Sequence, residues 1–126
     1  MKLNLHILDE QFTVHRFAPN TKIPEQVFAG EFFSISRTQD ELSIVCSAQI
    51  QLASDKVETD WSCIKVLGSL DFSLTGILAA ISAVLAEAKI SIFALSTFDT
   101  DYILVKTEKL AAAKDVLEKA GYSFKD

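Results

Sequence analysis

The residues that could bind a small molecule concentrate in one short loop near the middle of the 126-residue chain. This loop is rich in small and hydroxyl-bearing residues, namely Gly68, Ser69, Asp71, Ser73, Thr75 and Gly76. An apolar helical pattern follows, and the first N–H groups of a helix lack partners within the helix and carry partial positive charge. The loop therefore predicts a site for a carboxylate, to which the two glycines permit close main-chain approach. Helix capping by the hydroxyl and aspartate side chains explains the same composition without a ligand.

Acidic residues at two turns form the second candidate group. Asp99 and Asp101 flank a tight turn, where aspartate is common because its side chain binds its own main chain. Asp101 also opens a strongly apolar strand, where a charge without a partner is costly, so it is a candidate to bind a ligand ammonium or guanidinium group. Glu41 has a comparable position in the first half, with a salt bridge as its alternative role. Two carboxylates on one turn fall far short of the oxygen shell that a hard cation needs.

No catalytic motif accompanies these groups. The sequence contains no GxGxxG, P-loop, HExxH or CxxC pattern. Cys46 and Cys63 fall in apolar segments rich in β-branched residues, which is typical of buried free thiols. His6 and His15 lie in separate predicted strands without a serine or cysteine motif, which favours core or surface histidines over a catalytic base. The sequence therefore predicts a protein that is not an enzyme and needs no cofactor and no metal.

The overall composition limits the partners. Seventeen acidic and twelve basic residues give a net charge of −5, and no Lys/Arg cluster is available to bind nucleic acid or an anionic membrane. The N-terminus lacks a signal-peptide core, and the most apolar run is too short to span a bilayer, so a cytoplasmic protein is expected. The apolar fraction of 49% indicates that apolar surface remains after folding, which favours a homodimer.

The second half shows the clearest periodicity. Apolar residues at spacings of three and four mark a helix face from Leu74 to Ala88, after the strand that contains Trp61. The predicted elements in chain order are strand 61–67, helix 74–88, strand 90–96, turn 97–100, strand 102–105, a helix capped by Thr107 and ended by Gly121, and a short strand 122–124. This β-α-β-β-α-β order is the ferredoxin-like arrangement and indicates an α+β fold.

The first half looks like a reduced copy of the second. Its predicted strands are 3–8, 12–17, 32–36 and 42–46, of which the first two are expected to pair with each other. A shift of 60 positions places Phe33 on Phe93 and Glu41 on Asp101 without a gap. We therefore predict two copies of one unit, the first with eroded helices.

Three segments of the chain resemble a known family. The segments 67–78, LGSLDFSLTGIL, and 92–105, IFALSTFDTDYILV, resemble the ACT-domain family of the CASTOR type. The segment 36–46, SRTQDELSIVC, is similar to the first-unit signature of that group. The similarity is greatest to its short bacterial members, which carry tandem ACT units, and it covers roughly residues 32–46 and 61–124.

The resemblance implies an α+β protein of two ferredoxin-like ACT units, with an N-terminal unit of reduced helices in residues 1–60 and an ACT domain in residues 61–126. It also implies a homodimeric regulator with a small ligand at the boundary between ACT units, which is arginine in the animal members. Asp101 aligns with a ligand-contacting acid of the arginine-sensing members, and Ser96 and Thr97 complete the predicted ligand-binding set. We therefore predict an amino-acid sensor, with a dimerisation or scaffold module that has lost its ligand as the alternative.

Overall fold

The structure is a computed structural model that describes residues 3–68 and 76–126. It divides into two compact units: unit 1 comprises residues 1–9 and 62–126, and unit 2 comprises residues 10–61. These compact units assign the first nine residues to unit 1. The division of the chain into ACT units at residue 60 stays a prediction.

Seven strands, two α-helices and two 3-10 turns are described. In chain order they are β1 (Asn4–Phe17), a 3-10 turn (Glu25–Ala29), β2 (Ser34–Arg37), β3 (Leu42–Ser47), β4 (Lys56–Val66), α1 (Ile77–Glu87), β5 (Ile92–Ser96), β6 (Asp101–Lys106), a 3-10 turn (Thr107–Lys109), α2 (Leu110–Lys119) and β7 (Ser123–Phe124). The fold is therefore α+β, and most of the strand pairs whose register is described are antiparallel.

Strand β1 is one continuous strand, and this corrects the prediction of two strands that pair with each other. The residues that join the two predicted segments, Asp9 to Gln11, include no glycine or proline, so the extended chain continues through them. The second part of β1 pairs with β3 instead, from Phe12 opposite Ser47 to Phe17 opposite Leu42.

Unit 1 contains the predicted β-α-β-β-α-β order, from the last part of β4 through α1, β5, β6 and α2 to β7. Within it the strands lie in the order β7-β1-β4-β6-β5. Alternate residues of the strands form a core with the inner faces of both helices. The buried members of this core are Leu5, Ile64, Val66, Ile81, Leu85, Ile90, Ile103, Val105, Ala113, Leu117 and Tyr122. Helices α1 and α2 therefore cover one face of the unit 1 strands.

Unit 2 has little helix. Its strands lie in the order β2-β3-β1-β4, and its described residues contain one short 3-10 turn where unit 1 has α-helices. The buried core consists of Phe17, Val27, Leu42, Ile44 and Cys46. The prediction of reduced helices in the first half agrees with this description of unit 2.

Both helices end in the same hydrogen-bonding pattern. At the end of α2, Gly121 N–H donates to Glu118 O (3.0 Å) and Tyr122 N–H donates to Leu117 O (3.1 Å). This pair of bonds is a Schellman motif, and the φ of 104° at Gly121 confirms its predicted left-handed conformation.

The predicted cap of α2 by Thr107 is wrong. No side-chain cap bond is present at the start of α2 or of the 3-10 turn before it, and the Thr107 hydroxyl bonds Ser62 Oγ at 2.9 Å.

Candidate functional site

Two connections meet at one end of unit 1, the one that follows β4 and the β5–β6 turn. Strand β4 ends at Val66, strand β6 begins at Asp101, and the two strands are neighbours. The Thr100 hydroxyl, on a residue that is only 5% exposed, donates to the Val66 carbonyl at 2.6 Å. This bond fixes the β5–β6 turn to the strand end that leads into Gly68. Thr100 is a positioning residue that the sequence reasoning missed, since a threonine in a turn has many ordinary roles.

The β5–β6 turn is closed by its own threonine. Thr97 N–H donates to Thr100 O (2.8 Å), and the Thr97 hydroxyl bonds both the carbonyl (3.2 Å) and the N–H (3.3 Å) of Thr100. The predicted ligand residue Thr97 therefore already uses its hydroxyl within the turn. Between these residues Phe98 presents a side chain that is 79% exposed.

Asp101 and Ser96 form a pair at the base of the turn. They are opposite each other in the β5–β6 ladder, and Ser96 Oγ donates to Asp101 Oδ1 at 2.5 Å. Alternation along β6 places Asp101 on the same face as Ile103 and Val105, which enter the core beneath the helices. Among the described residues Asp101 Oδ2 has no partner, so this half-buried carboxylate keeps an acceptor for another donor.

The two loop glycines adopt conformations that disfavour other residues. Gly68 has φ 89° and Gly76 has φ 78°, and a Cβ at either position would meet no described atom within 4 Å. Glycine is therefore favoured at both positions because the backbone is left-handed there. Lack of space for a side chain is not the reason. The predicted ligand residues Ser69, Asp71, Ser73 and Thr75 lie outside the described residues.

Helix α1 starts at Ile77, after Gly76. Gly76 occupies the N-cap position, and no side chain of the described residues caps the helix. The first N–H groups of a helix lack partners within the helix, so this helix start offers donors, as Asp101 offers an acceptor. A ligand with a carboxylate and a cationic group has the complementary chemistry.

Glu41 lies in unit 2, where it closes a turn of the same type. Thr38 N–H donates to Glu41 O (2.9 Å), and the Thr38 hydroxyl bonds Glu41 O (3.4 Å) and N–H (3.2 Å), as Thr97 bonds Thr100. The hairpins therefore correspond by a shift of 59 positions, which pairs Glu41 with Thr100. The shift of 60 that paired Glu41 with Asp101 is wrong because a one-residue slip still aligns the contiguous apolar runs of β3 and β6.

The remaining chemistry-bearing groups are structural. Cys46 and Cys63 are free and buried, as predicted, and burial raises the pKa of the Cys63 thiol to about 12, which keeps it in the unreactive thiol form at neutral pH. Residues 3–68 and 76–126 contain no cluster of three His, Cys, Asp or Glu side chains suited to a metal ion. No helix within these ranges is long and apolar enough to cross a membrane.

Comparison with known sequences identifies two regions. The sequence model of the ACT domain matches residues 56–119, and a separate model that describes an N-terminal domain matches residues 10–51. The mouse protein named cytosolic arginine sensor for mTORC1 subunit 1 is 33% identical over 96 residues, which cover 70% of this chain and 29% of the mouse protein. The chain thus matches less than a third of the length of this relative.

Comparison with solved structures agrees. A protein from Agrobacterium tumefaciens with a crystal structure shares 37% sequence identity with this chain, and the two structures have a TM-score of 0.91. The match covers 99% of this chain and 93% of that chain. The regulatory subunit of aspartate kinase from Thermus flavus shares the fold, with a TM-score of 0.68, 9% identity, and coverage of 95% of this chain and 99% of that one. Because the ACT domain match spans half of the sequence, the chain belongs to the ACT domain family.

Proposed function

We propose that this protein is a non-enzymatic regulator that binds an amino acid at the end of unit 1 where β4, α1 and the β5–β6 turn meet. The observation that carries the proposal is the half-buried Asp101 carboxylate, which keeps one oxygen without a described partner at the start of β6, the strand next to β4. The ligand carboxylate would bind the first N–H groups of α1. The ligand ammonium or guanidinium group would bind Asp101.

The name of the mouse relative supports an amino acid, and arginine in particular, as the ligand. A guanidinium group suits a carboxylate because it offers several N–H donors in one plane. The tandem arrangement of CASTOR type, with residues 1–60 as a reduced ACT unit and 61–126 as a full one, is part of the proposal, as is a cytosolic location. The matching threonine turns of the two units, at Thr38 and Thr97, support the tandem arrangement.

The test is a thermal-shift and calorimetric screen against the twenty amino acids, with Asp101→Asn as the variant. A ligand at a hundred times its Kd adds about 2.7 kcal/mol to the free energy of unfolding, which raises Tm by several degrees. We expect one selective ligand, and at least about tenfold weaker binding to the variant, because asparagine keeps the acceptor for Ser96 but loses the charge.

Asp99→Asn is the matched control. Asp99 lies on the same turn and is exposed, so its substitution should leave the affinity for the ligand unchanged. Equal affinity of the Asp101→Asn variant and the unmodified protein would contradict the assignment of Asp101.

A ligand-free dimerisation module is the second candidate function. The exposed face of α1 favours it, because this face consists mainly of alanines (Ala79, Ala80, Ala83, Ala86 and Ala88), with Glu87 as its one charged residue. A helix with so little polar surface is typically covered by another element. Absence of a Tm shift with every amino acid at millimolar concentration would favour this function over the sensor.

A further inference from the structure

Ser96 and Asp101 end the β5–β6 ladder, and the main chain at both residues is held in place. They are the last pair before the turn, which Thr97 N–H closes by donating to Thr100 O at 2.8 Å. The Thr100 hydroxyl in turn bonds the Val66 carbonyl at 2.6 Å. The freedom that remains at this pair is therefore rotation of the two side chains.

The bond from Ser96 Oγ to Asp101 Oδ1 restricts this rotation for the carboxylate. At 2.5 Å it is a short hydrogen bond to a charged acceptor, which is the stronger kind. Among the described residues Ser96 is the side chain that bonds the Asp101 carboxylate. Because a carboxylate is planar and turns as one body, a bond that holds Oδ1 also fixes the direction of Oδ2.

The other polar side chains of this turn do not share the role. The Thr97 hydroxyl bonds the main chain of Thr100, and the Asp99 side chain is exposed. Ser96 is itself exposed, so water could satisfy its hydroxyl without any bond to protein. What the contact contributes is therefore the alignment of Asp101.

The corresponding hairpin of unit 2 lacks the pair. The shift of 59 positions between the hairpins places Arg37 at the position of Ser96 and Leu42 at the position of Asp101. Leu42 is fully buried in the core of unit 2. A hairpin of this type therefore forms without a hydroxyl and a carboxylate at these positions, so the fold alone does not require them.

We propose that Ser96 is a positioning residue, which holds the Asp101 carboxylate so that Oδ2 receives the cationic group of the ligand. This inference rests on the proposed amino-acid site, and it replaces the role predicted for Ser96, which was direct contact with the ligand. Loss of the Ser96 hydroxyl then acts on ligand binding through Asp101 alone.

Calorimetric titration with L-arginine as the probe tests this role. We expect Ser96→Ala to weaken binding about fivefold, since the ligand must then order the carboxylate, and Ser96→Thr, which keeps the hydroxyl, to retain the affinity. Ser91→Ala, the same change at an exposed position before β5, is the matched control and should leave Kd unchanged. In a protein that already carries Asp101→Ala, Ser96→Ala should have no further effect. Additive effects of the two substitutions would assign Ser96 to the ligand and overturn the proposal.

The ligand-free protein gives a second readout that does not depend on arginine. Vicinal NMR couplings report the χ1 angle of Asp101, and we expect one rotamer in the unmodified protein and in Ser96→Thr, but averaging over rotamers in Ser96→Ala. A single Asp101 rotamer in Ser96→Ala, or an unchanged Kd, would overturn the proposal. If L-arginine fails to bind the unmodified protein while the couplings change as expected, arginine is contradicted as the ligand and the positioning of Asp101 by Ser96 is supported.

Discussion

The Thr100 hydroxyl fixes the β5–β6 turn to the end of β4. It is buried, and its bond of 2.6 Å goes to a main-chain carbonyl that lies far away in sequence. When a buried acceptor loses its donor, no hydrogen bond offsets the free energy that was needed to remove the acceptor from water. The position of the β5–β6 turn therefore depends on a buried threonine.

Replacing Thr100 with valine tests this role. The Thr100→Val variant keeps the shape and removes the donor, so we expect the free energy of unfolding to fall by about 1–2 kcal/mol in urea denaturation. Thr97→Val is the control, because its hydroxyl is exposed and water can replace it, and it should cost less than half as much. Equal stability of the Thr100→Val variant and the unmodified protein would contradict the role.

His15 makes the stability of unit 2 depend on pH. It is 4% exposed, its Nδ1 bonds Ser54 Oγ at 2.9 Å, and among the described residues its Nε2 has no partner. Burial lowers its pKa below the ordinary 6.5, so the unfolded chain binds a proton in a range of pH where the folded chain does not. The stability due to neutral His15 is thus complete above pH 6.5 and is lost as the pH falls towards the folded pKa.

We expect Tm to fall between about pH 7.5 and about pH 5 because of this residue. His15→Leu should flatten the dependence, because leucine occupies the buried position without a group that binds a proton. Scanning calorimetry across this range measures the slope. An equal slope in the His15→Leu variant would show that other groups cause it.

At the scale of elements, the two helices end alike but with different residues. The C′ position is Gly121 after α2 and Lys89 after α1, where Lys89 N–H donates to Ala86 O and Ile90 N–H donates to Leu85 O, both at 2.9 Å. Lys89 has φ 61°, a conformation that costs a residue with a Cβ about 1 kcal/mol relative to glycine. The end of α1 is thus strained where the end of α2 is not.

Substitutions at these two positions should change the stability in opposite directions. Lys89→Gly should raise the free energy of unfolding by about 1 kcal/mol, or Tm by about 4 °C, and Gly121→Ala should lower it by a similar amount. Lys89 is exposed, so no packing is lost with its side chain. A destabilised Lys89→Gly variant would contradict the assignment of strain.

The elements of the second half were predictable because their patterns are unambiguous. Spacings of three and four identified α1, and alternation with a turn identified β5 and β6. The continuity of β1 was not, since Asp9, Glu10 and Gln11 are three consecutive polar residues that interrupt the alternation by which a strand is recognised. The neighbouring positions of β4 and β6 follow from the predicted β-α-β-β-α-β order, but the bond from Thr100 to Val66 does not, because it depends on tertiary geometry.

At the scale of the whole molecule, the exposed alanine face of α1 bears on assembly. Burial of a face with almost no charge leaves few charged groups unpaired, and small residues allow two helices of a symmetric dimer to approach closely. We expect a homodimer that Ala83→Glu dissociates, measured by analytical ultracentrifugation. Ala112→Glu, at an exposed position of α2, is the matched control and should leave the mass unchanged. A monomer at high concentration would contradict dimerisation.

The composition of unit 1 from two separate stretches of chain has a consequence for its synthesis. Its first nine residues leave the ribosome long before residues 62–126, whereas unit 2 is continuous and can be completed first. During this interval the core that finally buries Leu5 completely is not yet present. A gene fragment limited to the matched span 56–119 would lack both Leu5 and β7, so we expect it not to fold on its own.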